Sequence, residues 1–87
     1  MSNINVIGLG YVGLPTAVMF ASKGHNVHGV DSNSVVVTDI QSGNPGNNEP
    51  YLNELLGKVL QNGQLTVSTS VSAANIFVIA VPTPIET

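Results

Sequence analysis

A chain of 87 residues is one domain at most, and a chain of that size buries only about 60–65% of its unfolded surface. Its 43% hydrophobic content excludes a disordered chain, while the 8% of charged residues, against a usual figure of about 25%, implies that part of its surface is normally covered. The net charge of −3, with only Lys23 and Lys58 basic, excludes nucleic acid and anionic membrane as partners, and the absence of Cys excludes disulfides, thiolate metal sites and Cys catalysis within these residues.

Ile4-Asn5-Val6-Ile7 is a β-branched run that stops at Gly8 and predicts a first strand. From about Tyr11 to Lys23, Leu14, Ala17, Val18 and Ala21 recur at helical spacing, with Pro15 in or near the first turn and Gly24 as the stop. Val27 to Asp31 predicts the second strand. Ser34 to Gln41 carries Val35-Val36-Val37, which favours a strand. Asn33 or Ser34 as a cap, Gly43 as a stop and its place between strands instead predict a short helix. Gly43 to Asn48 is a loop. Pro50 opens a further helix, whose stripe Leu52, Leu55, Leu56, Val59 and Leu60 ends at Gly63. Leu65 to Ser68 is a short strand and Ser70 to Ala74 a helical turn. Ile76 to Val81 is apolar throughout, as in a parallel strand covered on both faces, and Pro82-Thr83-Pro84 ends it.

This progression predicts an α/β fold: a Rossmann-like parallel sheet with flanking helices, truncated to about four strands in the order 3-2-1-4. Residues 1–87 are expected to form the N-terminal part of a dinucleotide-binding domain.

Gly8-x-Gly10-x-x-Gly13 follows a strand and opens a helix. In such a loop Gly8 permits the tight turn, Gly10 lets the backbone approach a pyrophosphate, and Gly13 allows close packing of helix on strand. Amides near Tyr11 and Val12, at the helix start, would meet the phosphate charge. Tyr11 itself lies over the cofactor or merely covers the helix start. Asp31 follows Gly13 by 18 residues, close to the spacing of about 20 expected for the acid that accepts hydrogen bonds from the adenosine ribose. Its bland alternative is a cap for the next helix. As a ribose acid it would repel a 2′-phosphate, which selects NAD over NADP. Val81, Pro82 and Thr83 would face the same crevice, where strand order reverses, and Thr83 can either bond the cofactor or serve as a loop hydroxyl. His25 and His28 have no partners at metal-ligand spacing, no metal site is expected, and Asp39, Glu49 and Glu54 form no acid/base pair. A charge at Glu49 suits a helix start.

Together, Val6-Ile7-Gly8-Leu9-Gly10-Tyr11-Val12-Gly13-Leu14-Pro15, Gly29-Val30-Asp31, Glu49-Pro50-x-Leu52 and Val81-Pro82-Thr83-Pro84 resemble the UDP-glucose/GDP-mannose dehydrogenases over essentially the whole chain. Five positions after the ribose acid, where the family often has a basic residue, stands Val36. In this the chain is similar to the N-acetylmannosamine branch. The resemblance implies oxidation of the C6 alcohol of a nucleotide sugar to a carboxylate with two NAD+, through a Cys thiohemiacetal. That Cys would lie well beyond residue 87, so these residues are expected to bind NAD without catalysis, with the sugar nucleotide reached only through further domains. A cytoplasmic setting is expected. So is self-association through an exposed apolar edge or face. Two alternatives remain open: another Rossmann dehydrogenase of the 6-phosphogluconate or hydroxyacyl-CoA type, and a non-catalytic NAD-binding module.

Overall fold

The computed structural model describes residues 2–10, 13–43 and 50–80. Its elements, in chain order, are β1 (Asn3–Ile7), α1 (Gly13–Ser22), β2 (Asn26–Val30), α2 (Ser34–Gln41), α3 (Pro50–Gln61), β3 (Leu65–Ser68) and β4 (Ile76–Ile79). The four strands form one parallel sheet in the order β3-β2-β1-β4, as the βαβ progression of the sequence predicts.

Register sorts the side chains by face. Ile4 lies beside Val27 and Ile76, and Val27 beside Leu65; one row on, Val6 lies beside Gly29 and Val78, and Gly29 beside Val67. Because side chains alternate along a strand, these residues share one face. The core is built there: Ile4, Val6, Val27, Leu65 and Val67 pack with Leu14, Ala17 and Val18 of α1, Val37 and Ile40 of α2, and Leu56 and Val59 of α3. The apolar stripes of all three helices therefore face the same side of the sheet. α2 is helical despite its three valines. Asn33 caps it, accepting the Val35 amide at 2.9 Å, and burial of Val37 and Ile40 adds what propensity withholds.

The opposite face carries Asn5, His28 and Thr66 in one row, and Ile7, Val30 and Ser68 in the next. The connection from β3 to β4 runs over this face. Asn5, fully buried, donates from Nδ2 to the Ser72 carbonyl at 2.6 Å and accepts the Ser72 hydroxyl at 3.1 Å. His28 Nε2 lies 2.8 Å from the Ser70 carbonyl and 2.9 Å from Ser68 Oγ, and Nδ1 lies 2.7 Å from Thr66 Oγ1. A carbonyl only accepts, so Nε2 carries the hydrogen.

The expected helical turn over Ser70 to Ala74 is absent: residues 71–74 form no helix. The reason is reach. The chain must cross from β3 past β2 and β1 to β4, three strand spacings or about 14 Å. A seven-residue connection gains only about 10 Å as a helix, against about 23 Å when extended. The Ser70 and Ser72 carbonyls are also taken by His28 and Asn5 instead of by amides further along.

Three boundaries differ from expectation. β2 ends at Val30, so Asp31 stands just past the strand. The described part of α1 begins at Gly13 and ends at Ser22, and β4 ends at Ile79. The greater correction concerns burial. The run Ile76 to Ile79, expected to be covered on both faces, forms an edge strand of the described sheet, with Phe77 52% and Ile79 72% exposed. An all-apolar strand reveals that it can be covered, not which residues cover it.

Candidate functional site

The glycine loop leaves β1 at Ile7 and enters α1 at Gly13. Gly8 has φ +94°, a left-handed conformation that side chains disfavour. Its amide donates to the Val30 carbonyl at 2.7 Å, fastening the loop to the end of β2. A Cβ added at Gly13 would overlap the carbonyl oxygen of Gly8 and lie 2.7 Å from its carbon, with the Ala80 Cβ at 3.4 Å. The helix start thus touches the end of β1 backbone to backbone, the close packing expected of Gly13. Gly10 is different. It is exposed, and a Cβ there would meet no described atom within 4 Å. The space over Gly10 is open among the described residues, and Gly10 lies just before the described start of α1, its carbonyl accepting the Leu14 amide at 3.2 Å.

Asp31 stands beside this loop. Its Oδ2 accepts the Leu9 amide at 3.0 Å and its Oδ1 accepts the Asn33 amide at 2.9 Å. Asp31 is not the cap of α2; Asn33 fills that position. An ionised carboxylate has about four acceptor sites, so two amides leave room for two further hydroxyl donors. Asp31 therefore joins the glycine loop to the entry of α2.

β1 and β4 lie side by side at the sheet's topological switch. Ala80, which precedes Val81, donates its amide to the Ile7 carbonyl at 2.8 Å and borders Gly13. Gly8, Gly10, Gly13 and Asp31 therefore gather at one end of β1 and β2. Tyr11, Val12, Val81, Pro82 and Thr83 lie outside the described residues.

Two contributors went unassigned in the sequence. Leu9, an unspecified position of the glycine motif, is buried in the core. Gly29 lies directly beneath it, where a Cβ would stand 2.9 Å from Leu9 Cδ2 and 3.1 Å from Val67 Cγ1. A glycine inside a strand is the signal for such a close approach. His25 and His28 are structural. His25 Nδ1 accepts the Ser2 amide at 3.2 Å and its ring meets Phe20 edge-on, and His28 holds the β3–β4 connection.

Comparison with known proteins agrees with this geometry. Over 86 residues the chain is 46% identical to the UDP-N-acetyl-D-mannosamine dehydrogenase of Pyrococcus horikoshii, a match covering 95% of this chain and 21% of that protein. The Methanococcus maripaludis enzyme of the same name is 45% identical over 84 residues, covering 97% and 20%. Among solved structures, the UDP-N-acetyl-mannosamine dehydrogenase of Staphylococcus aureus superposes with a TM-score of 0.90 at 48% identity, over 95% of this chain and 20% of that one. GDP-mannose dehydrogenase of Pseudomonas aeruginosa superposes with a TM-score of 0.88 at 36% identity, over 95% and 20%. The chain thus spans about a fifth of the length of the curated relatives it matches. Residues 2–87 match the UDP-glucose/GDP-mannose dehydrogenase family, NAD binding domain, which decides against the 6-phosphogluconate and hydroxyacyl-CoA types. The chain belongs to the UDP-glucose/GDP-mannose dehydrogenase family, and its cofactor is NAD.

Proposed function

We propose that this chain supplies the opening part of the dinucleotide-binding domain of a nucleotide-sugar 6-dehydrogenase, and that it holds the adenosine and pyrophosphate portion of NAD on Gly8–Gly13. The observation that carries the reading is the contrast between Gly13, which has no room for a Cβ, and Gly10, which has room that no described atom fills. Fold packing explains the first glycine and not the second. An open backbone at a helix N-terminus is what an incoming phosphate needs. In this reading amides from Gly10 through Tyr11 and Val12 bind the pyrophosphate, Asp31 accepts the ribose hydroxyls, and Val81, Pro82 and Thr83 border the cofactor from the end of β4.

Bound NAD would supply a hydride acceptor for oxidation of the sugar's C6 alcohol. The chain's own part is grip and orientation. The substrate proposed is UDP-N-acetyl-D-mannosamine, on the similarity to the relatives of that name and on Val36 at a position that is often basic in the family. The nucleophilic Cys and the residues that contact the sugar belong to other parts of the parent enzyme, so these residues alone are inactive. We place the protein in the cytoplasm, a reading supported by its lack of Cys. It self-associates through the exposed apolar side chains of β4.

Titration calorimetry with NAD+ and NADP+ tests the cofactor reading. NAD+ is expected to bind and NADP+ to bind at least tenfold more weakly (about 1.4 kcal/mol), because the Asp31 carboxylate would face a 2′-phosphate. Gly10→Val is expected to abolish NAD+ binding. Preferential binding of NADP+, or full binding by Gly10→Val, would overturn the assignment.

A further inference from the structure

We propose that Asp31 is a positioning residue for the glycine loop as well as an acceptor for ribose: its carboxylate holds the Leu9 amide, so its loss weakens even ligands that offer it no ribose hydroxyl. The inference rests on the reading of Gly8–Gly13 as the pyrophosphate loop and adds a second role for the acid beside it.

The loop is fastened to the end of β2 at three successive points. Gly8 donates its amide to the Val30 carbonyl at 2.7 Å. Leu9 donates its amide to Asp31 Oδ2 at 3.0 Å. The Leu9 side chain, 3% exposed, seats on Gly29. Two of these three ties converge on Leu9, one on its amide and one on its side chain. The seat on Gly29 holds the Leu9 side chain, and the carboxylate holds its peptide N–H. Asp31 is itself steadied, since Oδ1 accepts the Asn33 amide at 2.9 Å, next to the cap of α2. Ties that fix Gly8 and Leu9 at the start of the loop reduce the ordering cost of binding.

Two consequences follow. The Leu9 amide is committed to Asp31, so the pyrophosphate must find its donors from Gly10 onward. The residue that excludes a 2′-phosphate also supports the phosphate loop, so replacing it to admit NADP disturbs both functions together.

The test uses NAD+ and an NAD+ analogue lacking the adenosine 2′- and 3′-hydroxyls, titrated into the full chain and its Asp31→Ala variant. A carboxylate that acts only on ribose leaves analogue binding unchanged in the variant, which would overturn the proposal. A positioning carboxylate is expected to cost the analogue about tenfold in affinity (about 1.4 kcal/mol), and NAD+ more. Amide hydrogen exchange supplies the second readout. In the wild type the Leu9 amide is expected to be protected to the same order as those of β1; free exchange there overturns the proposal without any variant. In Asp31→Ala, Leu9 is expected to lose protection while Ile4 to Val6 keep theirs, which also reports that the sheet is intact. If wild-type protein protected Leu9 yet bound no NAD+, the phosphate-loop reading would fail and the Asp31–Leu9 contact would stand.

Discussion

Gly8 and Gly13 meet where β1 hands over to α1, and a methyl group on Gly13 would overlap the Gly8 carbonyl oxygen. Gly13→Ala is therefore expected to destabilise the fold by at least about 2–3 kcal/mol, since backbone must move to admit the Cβ; urea unfolding reads this as a lower midpoint. Gly10→Ala is expected to change stability by less than about 0.5 kcal/mol while weakening NAD+ binding, and the pair of variants separates packing from ligand contact. Asn5 is the polar counterpart. It is fully buried and satisfied twice by Ser72. Asn5→Ala strands the Ser72 carbonyl and is expected to cost about 1–3 kcal/mol, again measurable by urea unfolding. The glycine spacing and Asp31 were legible in the sequence because each has a required distance from its neighbours along the chain. The Leu9–Gly29 contact was not, because it joins the glycine loop to β2 and depends on the pairing of β1 with β2.

At the scale of elements, α2 and the β3–β4 connection show opposite outcomes of local preference. The three valines of α2 favour a strand, yet Asn33 caps a helix there and Val37 and Ile40 bury against the sheet. Asn33→Ala is expected to cost about 1 kcal/mol and to loosen amide protection at Val35. The segment before β4 has no breaker inside it, and its sequence alone predicts a helical turn. Its length, set against the width of sheet it must cross, forces it open instead. α3 follows its sequence closely: Pro50 opens it, and Leu56 and Val59 reach the core. Leu56, with no exposed surface, is the side chain on which α3 most depends, and Leu56→Ala is expected to cost about 2–5 kcal/mol in thermal or urea unfolding.

At the scale of the whole molecule, the sheet is asymmetric. Among the described residues, three helices lie on one face, and the β3–β4 connection crosses the other, held by Asn5 and His28 of the sheet. β4, at one edge of the described sheet, has Phe77 and Ile79 exposed on the face without helices and Ile76 exposed on the other. Exposed apolar strands at a sheet edge pair with other chains. Light scattering is expected to show concentration-dependent association of this chain, reduced in Phe77→Lys; a monodisperse monomer at all concentrations would contradict it. The Lys58–Glu54 pair, 3.9 Å apart and largely exposed on both sides, contributes little to stability at this scale.

The sequence by itself determined the strands, the three described helices, the parallel order of the sheet and the spacing of Gly8, Gly10, Gly13 and Asp31. Each depends on periodicity or on spacing along the chain, and those quantities are written in one dimension. Only the tertiary structure decided that the helices share one face, that Ser70 to Ala74 must run open, and that Asp31 grips the Leu9 amide above Gly29. Those features depend on distances between strands, which exist only once the sheet has formed. Asp31 belongs to both kinds: its spacing from Gly13 is written in the sequence, and its hold on the Leu9 amide exists only in the fold.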